Sequence, residues 1–413
     1  MLDTKDKRLL CCHGCGLAHA LPPLERGMAA HCERCGSVLA GSPRLDFIEH
    51  LMLYLAATIL FFIAHLFPFM ALELEGRRQV VTILDGVRAL YDSGAVVLAG
   101  IVFVTGTVAP ALRIIFAIAL YMPLALGRVP RRLIWMMRSM KELRPWAMME
   151  IYLFAVIVAY VKLVDVASID IGPALAAFVA VIVIFVLLDG DHEPHGIWRQ
   201  VEPQAPMALL RHGSPVPLSC HECDQVTSAD QPNCTRCLAP LHHRRPGSLA
   251  MSWALLIAAA IFLLPANFLP IMTVTSFGVE QSSTILGGVI ELIELELYPI
   301  AAVVFVASIA VPVAKIAGLA LIYTAVSFRW QGGVFERAWM YRFIESIGRW
   351  SMIDIFVIAL LAALVTLDNI ATIQAGPAAL CFAAVVIISM LSAMCFDPRL
   401  IWDQVGQLEA DHG

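Results

Sequence analysis

The sequence predicts an all-α polytopic membrane protein, built as a tandem repeat of a zinc ribbon followed by four transmembrane helices, eight transmembrane helices in total. Three observations predict it. Of the 413 residues 60% are hydrophobic and 15% charged, with a mean hydropathy of +0.79, and several apolar runs exceed the ~18 residues that mark a spanning helix. Eight of the eleven cysteines form four Cys-x-x-Cys pairs, two ahead of each block of apolar runs. Short signatures of the first block return about 202 residues later in the second, as in an internal duplication. The net charge of −5 decides little, because in a membrane protein the placement of charge matters more than its sum.

Residues 1–45 read as the first ribbon. Met1-Leu-Asp-Thr-Lys-Asp-Lys-Arg8 leads into cysteines rather than an apolar stretch, so no cleavable signal peptide is expected. Cys12-His-Gly-Cys15 and Cys32-Glu-Arg-Cys35, separated by sixteen residues, supply four thiolates from two facing turns, the pattern of a tetrahedral zinc site. Cys11 is a further thiol beside Cys12, and spacing does not choose between them. Residues 46–190 follow as the first transmembrane repeat, with spans near 47–72, 94–122, 146–166 and 171–188. Residues 191–248 hold a linker and the second ribbon, Cys220-His-Glu-Cys223 and, after ten residues, Cys234-Thr-Arg-Cys237. The second transmembrane repeat occupies 249–396 and a tail 397–413. Two structural zinc ions are expected, each folding a domain too small to have a core of its own.

The duplication is read from pairs of motifs. His65-Leu-Phe-Pro68 pairs with Asn267-Phe-Leu-Pro270, Thr82-Ile-Leu-Asp-Gly86 with Thr284-Ile-Leu-Gly-Gly288, Pro110 with Pro312 and Arg113 with Lys315, all at an offset of 202. From Trp146, paired with Trp350, the offset is 204, as for Gly172-Pro173 with Gly376-Pro377 and Ile197-Trp198 with Ile401-Trp402. The connector between spans two and three carries Arg128, Arg131, Arg132, Arg138, Lys141 and Arg144, and that between six and seven carries four arginines. The loop after span five instead has Glu280, Glu291, Glu294 and Glu296. By the positive-inside rule both ribbons, both basic connectors and both termini are cytoplasmic, as thiols kept for metal also require.

No phosphate-binding loop, nucleophile elbow or paired histidines at helical spacing occurs in the sequence, so no enzymatic activity and no nucleic-acid partner is expected. Only His65 lies well within a span and its repeat mate is Asn267, so bis-histidine haem ligation has no second ligand. The informative groups are polar ones inside apolar runs. Lys162 and Asp165 stand at i, i+3 in span three, spaced to form an ion pair. Lys315 follows Pro312 and lies seven residues after Ser308. A lysine deep in hydrocarbon costs roughly 2.5–3.5 kcal/mol on insertion scales, and intramembrane ionisable groups mark transport pathways. Asp165 is the carboxylate that would make its burial tolerable. Glu150 and Asp354 open spans three and seven, where a carboxylate suits a helix N-terminus.

With the Phe-Pro turns, the ribbon-plus-four-helix repeats and the terminal Phe396-Asp-Pro-Arg-Leu-Ile-Trp-Asp403, the whole chain resembles the paraquat-inducible protein A family, which includes the lipophilic-envelope-spanning-tunnel A proteins. The resemblance implies a bacterial inner-membrane protein that works with a periplasmic mammalian-cell-entry (MCE) domain tunnel to move phospholipid between inner and outer membranes. It implies zinc in both ribbons and a polar network linked to transport, with coupling to protons as the expectation, matched by Lys162, Asp165, Ser308 and Lys315. The first repeat departs from the pattern, keeping only Pro194, Ile197 and Trp198 of the terminal motif. Two other functions stand beside lipid transport: a membrane-anchored zinc or redox sensor, and a passive scaffold for a periplasmic partner. A mere anchor makes no demand for buried Lys, Asp and Pro.

Overall fold

The computed structural model describes residues 8–22, 24–74, 77–130, 132–163, 168–191, 197, 218–227, 231–276, 279–296, 298–348, 352–364 and 371–403. Ribbon one is two hairpins, β1 (Arg8–Cys11) with β2 (Ala18–Leu21) and β3 (Ala29–His31) with β4 (Val38–Gly41). Each begins to turn at a Cys-x-x-Cys pair, and the next residue, Gly16 or Gly36, takes a left-handed φ of 78° or 70°.

Asp46 and Glu49 form a capping box that starts α1 (Phe47–Leu66), satisfying backbone donors at the helix end. One stripe of α1, with Tyr54, Ala57, Phe61 and Ala64, is buried, while Ile48, Met52, Leu55, Ile59, Phe62 and Leu66 are exposed at spacings of three and four. A helix apolar on both its packed and its open face belongs in lipid. Then come β5 (Met70–Leu74), β6 (Arg77–Val81), α2 (Ile83–Asp92), α3 (Val96–Phe103), a π-helical turn (Val104–Val108), α4 (Ala109–Ala125), α5 (Leu133–Leu143), α6 (Met149–Leu163), β7 (Ser168–Ile171) and α7 (Pro173–Asp191).

The second half repeats this order. It comprises β8 (Leu218–Ser219), β9 (Val226–Thr227), α8 (Ser248–Phe268), β10 (Met272–Ser276), β11 (Val279–Ser283), α9 (Ile285–Glu294), α10 (Tyr298–Phe305) and a π-helical turn (Val306–Ala310). It continues with α11 (Val311–Ser327), α12 (Val334–Ile347), α13 (Ile353–Leu364), β12 (Ala371–Ala375), α14 (Pro377–Cys395) and a 3-10 turn (Pro398–Ile401). Among the described residues six helical stretches are long and apolar enough to cross a membrane: Phe47–Leu66, Val96–Ala125, Pro173–Asp191, Ser248–Phe268, Ala301–Ser327 and Pro377–Cys395. The predicted third and seventh spans are α6 and α13, of 15 and 12 residues, short of the ~20 that cross hydrocarbon unaided.

The chain is not all-α. Opposite the ribbons, each half carries a three-stranded antiparallel sheet, ordered β6-β5-β7 and β11-β10-β12. The first span accordingly stops at Leu66, and Met70 to Leu72 belong to β5. The Gly-Pro motifs and the prolines that follow the first span of each half, Pro68 and Pro270, meet at these sheets. Gly172 donates its N–H to the Phe69 carbonyl at 3.1 Å, and Gly376 to that of Ile271 at 2.8 Å. A Cβ on either glycine would overlap the carbonyl of Pro68 or Pro270, so close backbone approach demands glycine at both places. Pro110 and Pro312 enter at the first turn of α4 and α11, directly after the π turns; a widened turn accommodates the missing N–H without breaking the helix.

In the second half α14 packs along α8 through small residues, Ala378, Ala379, Ala383, Ser389, Ser392 and Ala393 facing Ser248, Ser252, Ala259 and Ala266. Such residues let backbones come close in lipid. Ser392 Oγ donates to the Ser252 carbonyl at 2.8 Å, and Tyr323 Oη to that of Ser392 at 3.1 Å.

Candidate functional site

The two cysteine quartets form where the sequence places them. The Sγ atoms of Cys12, Cys15, Cys32 and Cys35 lie within 4.8 Å of one another, as do those of Cys220, Cys223, Cys234 and Cys237, and all eight are buried. The nearest pairs are Cys12–Cys35 at 3.4 Å and Cys15–Cys32 at 3.5 Å, with the same distances for Cys220–Cys237 and Cys223–Cys234. Metal–sulfur bonds of about 2.3 Å in a tetrahedron put sulfurs about 3.8 Å apart, so both quartets fit a four-coordinate ion. Cys12 completes the first quartet and Cys11 stands outside it. The neighbouring Cys15 thiol pushes the Cys12 thiol below the usual thiol range, and Cys15 moves upward in return. The Cys220 thiol likewise pushes Cys234 downward.

The ribbons dock across the molecule. Ribbon one joins an apolar cluster with Val334, Ala338, Tyr341, Ile344, Phe396 and Trp402 of the second half, whereas the cysteines of ribbon two join the cluster of Leu133, Met136 and Met140 in the first. Arg34 lies 5.0 Å over the Trp402 ring. Lys141 of α5 donates to the His221 carbonyl at 2.9 Å. The ribbons touch through His13 and Asp224 at 2.9 Å, a bond that raises the His13 pKa. The chain entering α8 grips the end of the second half: Arg245 donates to the Met394 carbonyl at 2.8 Å, Ser248 Oγ accepts from Asp397 N at 2.8 Å, and Arg244 pairs with Asp403.

Within the bundle the two repeat-related cations have different surroundings. Arg113, 4% exposed, pairs with Asp189 at the end of α7 and lies 4.5 Å over the Phe185 ring. Asp189 also faces Arg144 at 3.6 Å. The residue 204 positions after Asp189 is Ala393, so the second half lacks that carboxylate. Lys315, also 4% exposed, donates instead to the Gly348 carbonyl at 3.4 Å. Ser308, 2% exposed on the π turn, has no hydrogen-bond partner among the described residues. His65 bonds the Phe61 carbonyl and Thr107 Oγ1 at 2.9 and 3.3 Å, an ordinary role at a helix end.

Asp165 lies outside the described residues, and Lys162 falls on the last turn of α6 with its side chain likewise outside them. Of the four network positions, then, Ser308 and Lys315 are described, on one continuous helix. Glu150 lies in the first turn of α6 as a capping carboxylate would; the Asp354 side chain is outside the described residues. Sequence reasoning missed Asp189 and the Gly348 carbonyl. Asp189 sits among apolar residues at the end of a span, a signal that could have marked it as a counter-ion.

The family model of paraquat-inducible protein A matches residues 49–202 and again 249–406. The chain is 34% identical over 419 residues to the intermembrane transport protein PqiA of Escherichia coli K12, covering 98% of this chain and 97% of that protein. It is 31% identical over 392 residues to the lipophilic envelope-spanning tunnel protein A of the same organism, covering 95% and 90%. A probable intermembrane transport protein of Haemophilus influenzae is 30% identical over 407 residues, 97% of each. No solved structure matches the chain. Two buried four-cysteine clusters, six membrane-length helices and a match to both halves agree: this multi-pass membrane protein belongs to the paraquat-inducible protein A family.

Proposed function

We propose that the protein is the inner-membrane subunit of a system that moves phospholipid between the inner and outer membranes, loading or receiving lipid from a periplasmic MCE-domain tunnel. Its names among relatives, intermembrane transport protein and envelope-spanning tunnel protein, support this. The observation that carries it is the Ser308–Lys315 stretch: a buried hydroxyl without a partner among the described residues and a buried lysine resting on one carbonyl. A purely structural helix gains nothing from either group, since an unpaired buried polar atom costs about 1–3 kcal/mol. Lys162 and Asp165 complete the network, and proton uptake by it is the coupling we assign.

In this arrangement α6 and α13 are the third and seventh of eight spans, and the architecture is a duplicated unit of ribbon and four helices. The units are 1–45 with 46–190 and 191–248 with 249–396, followed by the tail 397–413. Both ribbons hold zinc and face the cytoplasm with both termini, as the arginines of the connectors favour. The sheets then face the periplasm, where Leu286, Ile290, Ile293 and Tyr298 are exposed among Glu291, Glu294 and Glu296 and offer the MCE partner its seat.

Photo-crosslinking in cells from positions flanking Ser308 and Lys315 tests the proposal. Covalently attached phospholipid is expected. No adduct from any position, together with intact membranes in a Lys315→Ala strain, would sink it.

A further inference from the structure

Both halves hold a cavity at the ribbon end, and the equivalent arginine in each meets different partners. Ile134, Met137, Arg138 and Lys141 of α5 line a cavity of about 220 Å³. Ala338, Tyr341, Arg342 and Glu345 of α12 line one of about 320 Å³. These four positions correspond one for one at the offset of 204 that pairs Trp146 with Trp350, so Arg138 and Arg342 are equivalent. Ribbon two meets Arg138 with Glu222, at 3.6 Å. Glu222 is the third residue of Cys220-His-Glu-Cys223; in ribbon one, which lines the second cavity, the same place is Gly14.

Arg342 therefore lacks the carboxylate that its repeat mate meets, and it makes no ion pair among the described residues; of the two carboxylates that line this cavity, Asp397 is held by Arg399 and Glu345 is exposed on α12. The other two arginines there are committed, Arg399 to Asp397 at 2.9 Å and Arg245 to the Met394 carbonyl. Two further lining residues bear buried donors with no hydrogen-bond partner, Trp402 Nε1 and Ser219 Oγ. The indole N–H can only donate, so this collection of groups asks for an acceptor. Charge on the cysteine clusters does not answer it. Cys223 and Cys237 line the first cavity beside Arg138, and that arginine still pairs with a carboxylate.

We propose that the second cavity binds a phosphate group, held by Arg342 where the first half uses Glu222. The guanidinium fork matches phosphate oxygens two at a time, and 320 Å³ is room for about ten waters at ~30 Å³ each, enough for a phosphate ester with its substituent. A phospholipid headgroup and a soluble phosphate compound share this chemistry. The inference rests on the ribbons and α12 and stands apart from the transport function.

The test uses the full-length, zinc-loaded protein in a phosphate-free maltoside detergent, titrated with inorganic phosphate by calorimetry. One site per chain is expected, weakened about tenfold or more by Arg342→Gln and unchanged by Arg138→Gln. Repeating the titration in phosphatidylglycerol nanodiscs separates the sources. Loss of phosphate binding there assigns the site to a lipid headgroup, and undiminished binding assigns it to a soluble ligand. Zinc content is measured on each variant; if Arg342→Gln loses zinc, Arg342→Lys replaces it, with full zinc and intermediate affinity expected. Phosphate binding that is absent, or equal in wild type and the Arg342 variant, overturns the proposal.

Discussion

Arg113 is buried beside a carboxylate and Lys315 beside a carbonyl, at equivalent places in the two halves. Removing the acid from a buried pair leaves an uncompensated charge, at a cost of about 3–5 kcal/mol. Asp189→Asn is therefore expected to lower stability in detergent by about that much, read as a fall in unfolding temperature. Lys315→Met behaves oppositely. It removes a buried charge with no carboxylate among its described contacts, so the unfolding temperature stays level or rises while lipid movement is lost. A Lys315→Met protein that unfolds well below wild type would make the lysine structural. At this scale the sequence was legible for the cations, because a charge in an apolar run is conspicuous. Their contacts were not, since Gly348 and Asp189 lie 33 and 76 residues away in the chain.

Helices and ribbons were legible as elements because each is a local pattern: apolar runs of membrane length and cysteines two apart. The sheets escaped notice because β7 and β12 join strands that precede them by about a hundred residues, at the far end of five intervening helices. The π turns escaped for another reason; Val104–Val108 and Val306–Ala310 are short mixtures of Val, Ile, Thr, Ser, Ala and Gly inside long apolar runs, and nothing in that composition separates them from an α-helix. The repeated Gly-Pro motifs and the prolines Pro68 and Pro270 gained a meaning they lacked as text, since they are the two sides of one backbone contact. Gly376→Ala should cost about 3 kcal/mol by overpacking, with faster hydrogen exchange in β10 and β12. Gly100→Ala, where an added Cβ meets nothing, should leave exchange unchanged.

Across the whole molecule ribbon one rests on the second half and ribbon two on α5 of the first. Zinc-blind ribbons should therefore report at a distance. With Cys12→Ser and Cys32→Ser together, hydrogen exchange is expected to rise in α12 and in residues 396–403 while α5 stays protected. With Cys220→Ser and Cys234→Ser, α5 loosens instead. Loosening confined to each ribbon's own flanking span would contradict the crossed docking. No pattern in the chain announces this arrangement, because two ribbons with the same four-cysteine spacing carry no local mark of which surface each will cover.

Crossed docking also bears on how the chain is made and how it can be divided. Ribbon one is synthesised first, yet the surface it covers, from Val334 to Trp402, is synthesised last, so the N-terminal domain stays undocked until the final span is in place. For the same reason a cut in the linker between Asp191 and Leu218 yields two fragments that each carry the cap of the other. Fragments produced together from separate messages are expected to find one another and co-purify, whereas each produced alone exposes a bare helix end and an idle ribbon, and should be degraded.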